Sequence, residues 1–143
     1  MKPFLKYVSA FSLCYILSCS YLHAQSLLPA KDGQLVRLNA SIEFSRGGMS
    51  GICAMRYDGG VMKGCLFNEF GISALDFTYR ADKRKIRIEH VIKMLDKWYI
   101  KRVLRKDLVY VIDALDKGNT IYVNRKRHIT YQFSAMNTNE TER

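Results

Sequence analysis

The feature that most constrains this chain is a change of hydrophobic period past its middle. Up to about Met94 apolar residues alternate with polar ones, and from Ile100 to Leu115 they recur every three or four positions. The first period belongs to strands with one buried face and the second to a helix with one buried stripe. Many strands and one amphipathic helix all need their apolar faces covered. A twisted sheet that curls around the helix does this economically. The length of 143 residues suits one such core and not two. With 48% hydrophobic and 25% charged residues, the chain is neither disordered, collagen-like nor a multi-span membrane protein.

Leu38, Ala40, Ile42 and Phe44 alternate with Asn39, Ser41 and Glu43, and Arg46-Gly47-Gly48 then reads as a turn. The next strand, 51–57, carries Cys53, Met55 and Tyr57 on one face. Asp58-Gly59-Gly60 is a hairpin signal, because glycine accepts the positive φ that such turns require, and 61–67 returns. Asn68-Glu69-Phe70-Gly71 turns into a fourth strand with Leu75, Phe77 and Tyr79 on one face. After a tip at 81–84, Ile86, Ile88, His90, Ile92 and Met94 define a fifth. The spacing predicts a helix over 96–116, with Asp96 as N-cap and Lys117-Gly118-Asn119 as the stop. Its apolar face holds Ile100, Val103, Leu104, Leu108, Val111, Ile112 and Leu115. Strands near 120–125 and 129–135 follow, the latter with Ile129, Tyr131 and Phe133 alternating. The expected class is α+β: an unclosed antiparallel β-barrel of about seven strands over 35–136, with one amphipathic helix packed in its concave face.

The ends are read separately. Lys2 and Lys6 precede the apolar run Tyr7 to Leu17, which is too short to span a bilayer and has the pattern of a bacterial export signal. Ile16-Leu17-Ser18-Cys19 resembles a lipobox, which makes 1–18 the signal and Cys19 the lipidated N-terminus. Leu22-His23-Ala24 is a second, weaker cleavage site that would end the signal at 24. Removing 1–18 takes two lysines from the 23 basic residues, leaving 21 minus 13, or +8. Residues 19–34 read as a linker, and the polar 137–143 as a disordered tail.

An exported chain folds in an oxidising compartment, where Cys53 and Cys65 remain as an even pair. A three-residue loop at 58–60 sets Tyr57 against Val61 and Cys53 against Cys65, close enough for a disulfide. A two-residue loop shifts the register by one and sends the thiols to opposite faces. No metal-ligand spacing occurs. Cys53, His90 and Asp76 sketch a nucleophile site, but no motif holds a nucleophile on a strained turn, so no enzyme and no cofactor is expected. From Arg80 to Lys106 there are eleven Lys/Arg against Asp82, Glu89 and Asp96. Export argues against nucleic acid as their partner. A solvated face is one reading, and an anionic membrane surface touched by Lys97, Lys101, Arg102 and Arg105 is the other.

The order Ser50-Gly51-Ile52, Asn68-Glu69-Phe70-Gly71-Ile72, Leu75-Asp76-Phe77 and Leu104-Arg105-Lys106-Asp107-Leu108 resembles small envelope lipoproteins of diderm bacteria. Those proteins share the fold of the lipoprotein-localisation (Lol) carrier and receptor, and the resemblance covers about 35–135. It implies a half-barrel whose apolar concavity, with a helix packed in it, takes acyl chains. The cavity residues expected on that basis and from the alternation are Leu38, Ile42, Phe44, Met55, Leu75, Phe77, Ile88, Leu104 and Phe133. Trp98, Tyr99, Tyr79 and Tyr131 are expected on or beside the same interior. The functional expectation is a non-enzymatic lipoprotein on the periplasmic side of the outer membrane, or soluble in the periplasm. It would bind a lipid or an acyl chain, with another envelope lipoprotein as a further partner. The alternative is a structural or interaction module whose cavity is filled by its own helix.

Overall fold

The computed structural model describes residues 24–136. The expected export signal, with Cys19, and the expected tail 137–143 lie outside the described residues. Seven strands and one α-helix follow the chain as β1 (Leu35–Phe44), β2 (Gly47–Asp58), β3 (Val61–Phe67), β4 (Ser73–Arg80), β5 (Lys85–Val91), α1 (Trp98–Asp116), β6 (Ile121–Asn124) and β7 (Ile129–Ala135). They form one sheet in the order β5-β4-β3-β2-β1-β7-β6, with every neighbouring pair antiparallel. The sheet curls into a half-barrel whose edge strands β5 and β6 do not meet.

Two irregularities help the sheet bend, at Leu66/Phe67 and at Asp76/Phe77, because a bulge increases local twist. Close approach of side chain to backbone contributes as well. Gly64 stands opposite Phe77, and a Cβ there would lie 2.2 Å from the ring's Cζ, so the aromatic ring occupies the space the glycine leaves. The helix covers the inner face. Leu104, Leu108, Val111, Ile112 and Leu115 share one buried cluster with Leu38, Ala40, Ile42, Cys53, Met55, Leu66, Leu75, Phe77 and Phe133. The stop at Lys117-Gly118-Asn119 forms as the residues suggest. The Gly118 N–H donates to Leu115 and the Asn119 N–H to Ala114, the paired bonds of a helix that ends on a left-handed residue.

Four local expectations are corrected. First, Gly59 and Gly60 alone make the β2–β3 turn, both at positive φ, so Asp58 faces Val61 and Tyr57 faces Met62. Two successive positive φ values give the tight turn that suits strand twist, which a three-residue loop does not. The β1–β2 connection is also two residues long: Phe44 faces Gly47, so Gly47 and Gly48 belong to the strand. Second, the fifth strand ends at Val91. The bulge sets Phe77 against Ile88 but Asp76 against His90, leaving Glu89 without an opposite residue. The alternation slips by one, and His90 is exposed on the outer face.

Third, a 3-10 turn at Lys93–Leu95 precedes the helix, whose N-cap is Lys97 with no side-chain cap bond. Asp96 instead accepts a hydrogen bond from the Lys101 ammonium at 2.7 Å, which holds its carboxyl below the usual carboxylate range. Fourth, the end of the expected linker is packed. The Leu27 N–H donates to Leu115, Ser26 donates to Asp116, and Leu28 is buried, so 26–28 strap the C-terminus of α1. Asp32 then bridges to Tyr57 and accepts the Gly59 N–H, which ties the strap to the β2–β3 hairpin.

Candidate functional site

Alternation along β1, β2, β4 and β7 sends Leu38, Ile42, Met55, Leu75, Phe77 and Phe133 to one face, and α1 lays Leu104 over it. Met55, Leu75 and Leu104 are each 1% exposed, while Phe44 and Ile88 are half-buried at the margin of the same cluster. All nine expected cavity residues therefore belong to one apolar layer. In the structure α1 packs over it.

The helix is held there by a polar pin that the apolar pattern did not single out. Asp107 lies among the buried positions of α1, and its carboxyl group accepts three hydrogen bonds. Two come from the Asn124 amide at 2.8 and 3.0 Å and one from the Tyr131 hydroxyl at 2.8 Å. Burial, and then Asp107, push the Tyr131 hydroxyl far above the ordinary tyrosine range, so it stays a donor. Tyr122 lies between Tyr110 of the helix, stacked at 5.7 Å, and the Tyr131 ring at 5.9 Å, so helix, β6 and β7 share one aromatic and polar seam. The signal was present in the sequence: Asp107 stands three residues after Leu104 and four before Val111, on the apolar stripe.

The outer face gathers the other chemistry-bearing residues, in an arrangement the sequence did not predict. Cys65 stands opposite Asp76, and Asp76 opposite His90. The Cys65 thiol donates to the Ser73 hydroxyl at 3.6 Å, and that hydroxyl donates to Asp76 at 2.6 Å. Cys53 faces Leu66 on the inner side instead, so the expected Cys53–Cys65 disulfide is absent and both thiols are free. The nucleophile sketch built on Cys53 fails for the same reason, since that thiol points away from Asp76 and His90.

Burial first, and Cys65 second, raise the Cys53 pKa from 9.0 to about 12. Cys65 is raised as well, by burial and then by Asp76. Neither is an activated thiolate. Native protein at pH 8 should react slowly with iodoacetamide at Cys65 and not at Cys53, while unfolded protein reacts at both, as peptide mapping would show. Folding keeps Cys53 protonated, so its contribution to stability is complete below pH 9 and is lost as pH rises towards 12.

At one end of the half-barrel lies a rim made of the β3–β4 turn and the exit of β5, which leads through the 3-10 turn into α1. The Ile92 N–H donates to the Ala74 carbonyl at 3.0 Å, which joins the exit of β5 to the start of β4, just after the turn. Asn68 accepts the N–H groups of Phe70 and Ile72, so the turn is braced from within. Phe70 (79%), Ile72 (60%), Met94 (61%) and Trp98 (72%) stand exposed along this rim, and Tyr99 lies edge-on to Trp98. Trp98 and Tyr99 are thus outside the interior expected for them, because the helix turns their faces to solvent. Of the expected membrane-surface residues, Lys97 opens the helix beside the rim, and Arg102 is exposed. Arg105 is exposed too, and with the half-buried Lys101 it lines a groove against the β4–β5 hairpin. Among the described residues no helix is long and apolar enough to cross a membrane, and no group of His, Cys, Asp and Glu could hold a metal. Comparison with family models, with curated proteins and with solved structures finds no match to this chain.

Proposed function

We propose that this chain is a non-enzymatic envelope protein that holds a hydrophobic or acylated ligand between its half-barrel and its helix, next to an anionic membrane. The observation that carries this reading is the cover on the apolar layer: one helix lies over the inner face of a sheet whose edges are not joined to each other. Displacing that helix exposes a continuous apolar trough, and each methylene buried in it contributes about 0.8 kcal/mol without any polar recognition. The exposed rim supports the same reading. Aromatic and aliphatic side chains beside lysine suit a membrane–water boundary with anionic headgroups. A helix packed in an antiparallel half-barrel is also the arrangement that the Lol resemblance implies. Membership of that group, lipidation at Cys19, residence on the periplasmic side of the outer membrane and a lipoprotein as the acylated partner are parts of the proposal. Cleavage after Ala24 would instead give a soluble periplasmic form.

The Asp107 pin favours a second reading, in which the helix is a permanent plug and the protein is an interaction module of the envelope. A dansyl-labelled fatty acid separates the two. The ligand-binding reading expects saturable binding that unlabelled fatty acid reverses. No binding with an unchanged circular dichroism spectrum favours the plug. Trp98 is the single tryptophan and is exposed, so its emission reports rim docking directly. Phosphatidylglycerol vesicles should shift it to the blue and neutral phosphatidylcholine vesicles much less, with the difference shrinking as salt is added.

A further inference from the structure

The β4–β5 hairpin and α1 flank an open groove of about 520 Å³. Six cations line it: Arg80, Lys83, Lys85 and Arg87 from the hairpin, Lys101 and Arg105 from the helix. No acidic residue does. The nearby carboxylates are engaged at its edges, Asp82 with Arg80 at 3.2 Å, Glu89 with Arg87 at 3.4 Å and Asp96 with Lys101 at 2.7 Å. Lys83, Lys85 and Arg105 have no carboxylate partner among the described residues.

The groove is also built to keep its shape. Arg84, at the hairpin tip with φ 46°, forms an ion pair with Asp113 of α1, which clamps the tip against the helix. The helix in turn is pinned by Asp107. Like charges are therefore held near one another, at an electrostatic cost that a multivalent anion would remove. β5 is an edge strand, so the backbone on its outer edge has no ladder partner.

We propose that this groove is a binding site for a phosphate-rich anion. Phosphate suits it better than a carboxylate because it brings more negative charge in a small volume, and arginine forks bind its oxygens in pairs. A phosphorylated lipid headgroup and a free polyphosphate share this chemistry. The site does not require a ligand beneath α1, so it stands or falls separately from the acyl-chain reading.

The test compares the full chain with two triple variants of equal charge loss. One is Lys83→Ala/Lys85→Ala/Arg105→Ala in the groove. The other is Arg125→Ala/Lys126→Ala/Arg127→Ala at the exposed β6–β7 turn, none of whose residues lines the groove. Tripolyphosphate binding is measured by calorimetry, and binding to phosphatidylglycerol vesicles by sedimentation, at one fixed ionic strength. The groove triple should weaken at least one of these by about tenfold or more, and the control triple by less than about threefold. A loss confined to tripolyphosphate assigns the site to free polyphosphate, and a loss confined to vesicles assigns it to a headgroup. Equal losses in both triples would reduce the effect to net charge and overturn the proposal. So would wild-type binding weaker than about 1 mM tripolyphosphate together with no vesicle binding. Fatty-acid probe binding, measured alongside, reports on the acyl-chain reading alone.

Discussion

Asp107→Ala is expected to lower the unfolding free energy by about 2–4 kcal/mol, as read from urea denaturation. The alanine itself suits a helix. The loss arises across the seam, where the Tyr131 hydroxyl, on a side chain with no exposed surface, is left without its acceptor. Asn124 is only half-buried and recovers water, so it adds less. Tyr131→Phe removes one donor and leaves Asp107 its two bonds from Asn124, so about 1 kcal/mol should follow. The two substitutions share a bond, so the double variant should lose clearly less than the sum of the two losses. Additive losses, or an Asp107→Ala loss below about 0.5 kcal/mol, would show that the pin does not hold the helix. If the helix must lift to admit a ligand, the same variant should bind the fatty-acid probe faster.

Gly51→Ala should be comparably damaging although it adds a single methyl group. A Cβ at Gly51 would stand 2.1 Å from the carbonyl oxygen of Phe67 and 2.9 Å from its carbon. The obstacle is backbone, so no rotamer change relieves it. Either the end of β3 must move off β2, giving up the Ile52–Phe67 pairing, or β2 must bend the other way. A loss of about 2–3 kcal/mol or more is expected, near the upper end for overpacking. Gly60→Ala provides a contrast: nothing lies within 4 Å of a Cβ there, and only the positive φ of 80° opposes it, so its loss should be smaller. Equal thermal melting shifts for the two variants would argue against the close approach at Gly51.

Which side chains face inward was legible for most of the chain, because alternation is a local property of a pleated strand. Leu38, Ile42, Met55, Leu75 and Phe77 needed only that rule, as did Leu104, Leu108 and Val111 with the helical period. The same rule failed at His90. A bulge at Glu89 changes the phase of everything after it, and its position depends on how β4 and β5 meet. Trp98 and Tyr99 were misplaced inside for a related reason: their hydrophobicity is visible in the sequence, but the rotation of α1 against the sheet is not.

The sequence by itself determined the order of elements, the inner face of each long strand, the stop of the helix at Gly118 and the need for a sheet to wrap that helix. These follow from interactions between residues a few positions apart. The tertiary structure decided the rest. A turn of two residues and not three parted Cys53 from Cys65, and Asp107 found its partners on strands 17 and 24 residues away. Arg105 and Lys85 line one groove because the hairpin lies against the helix, to which the ion pair at its tip ties it. Each of these depends on which distant segments touch, and the local period of a chain is the same whichever neighbour its faces meet.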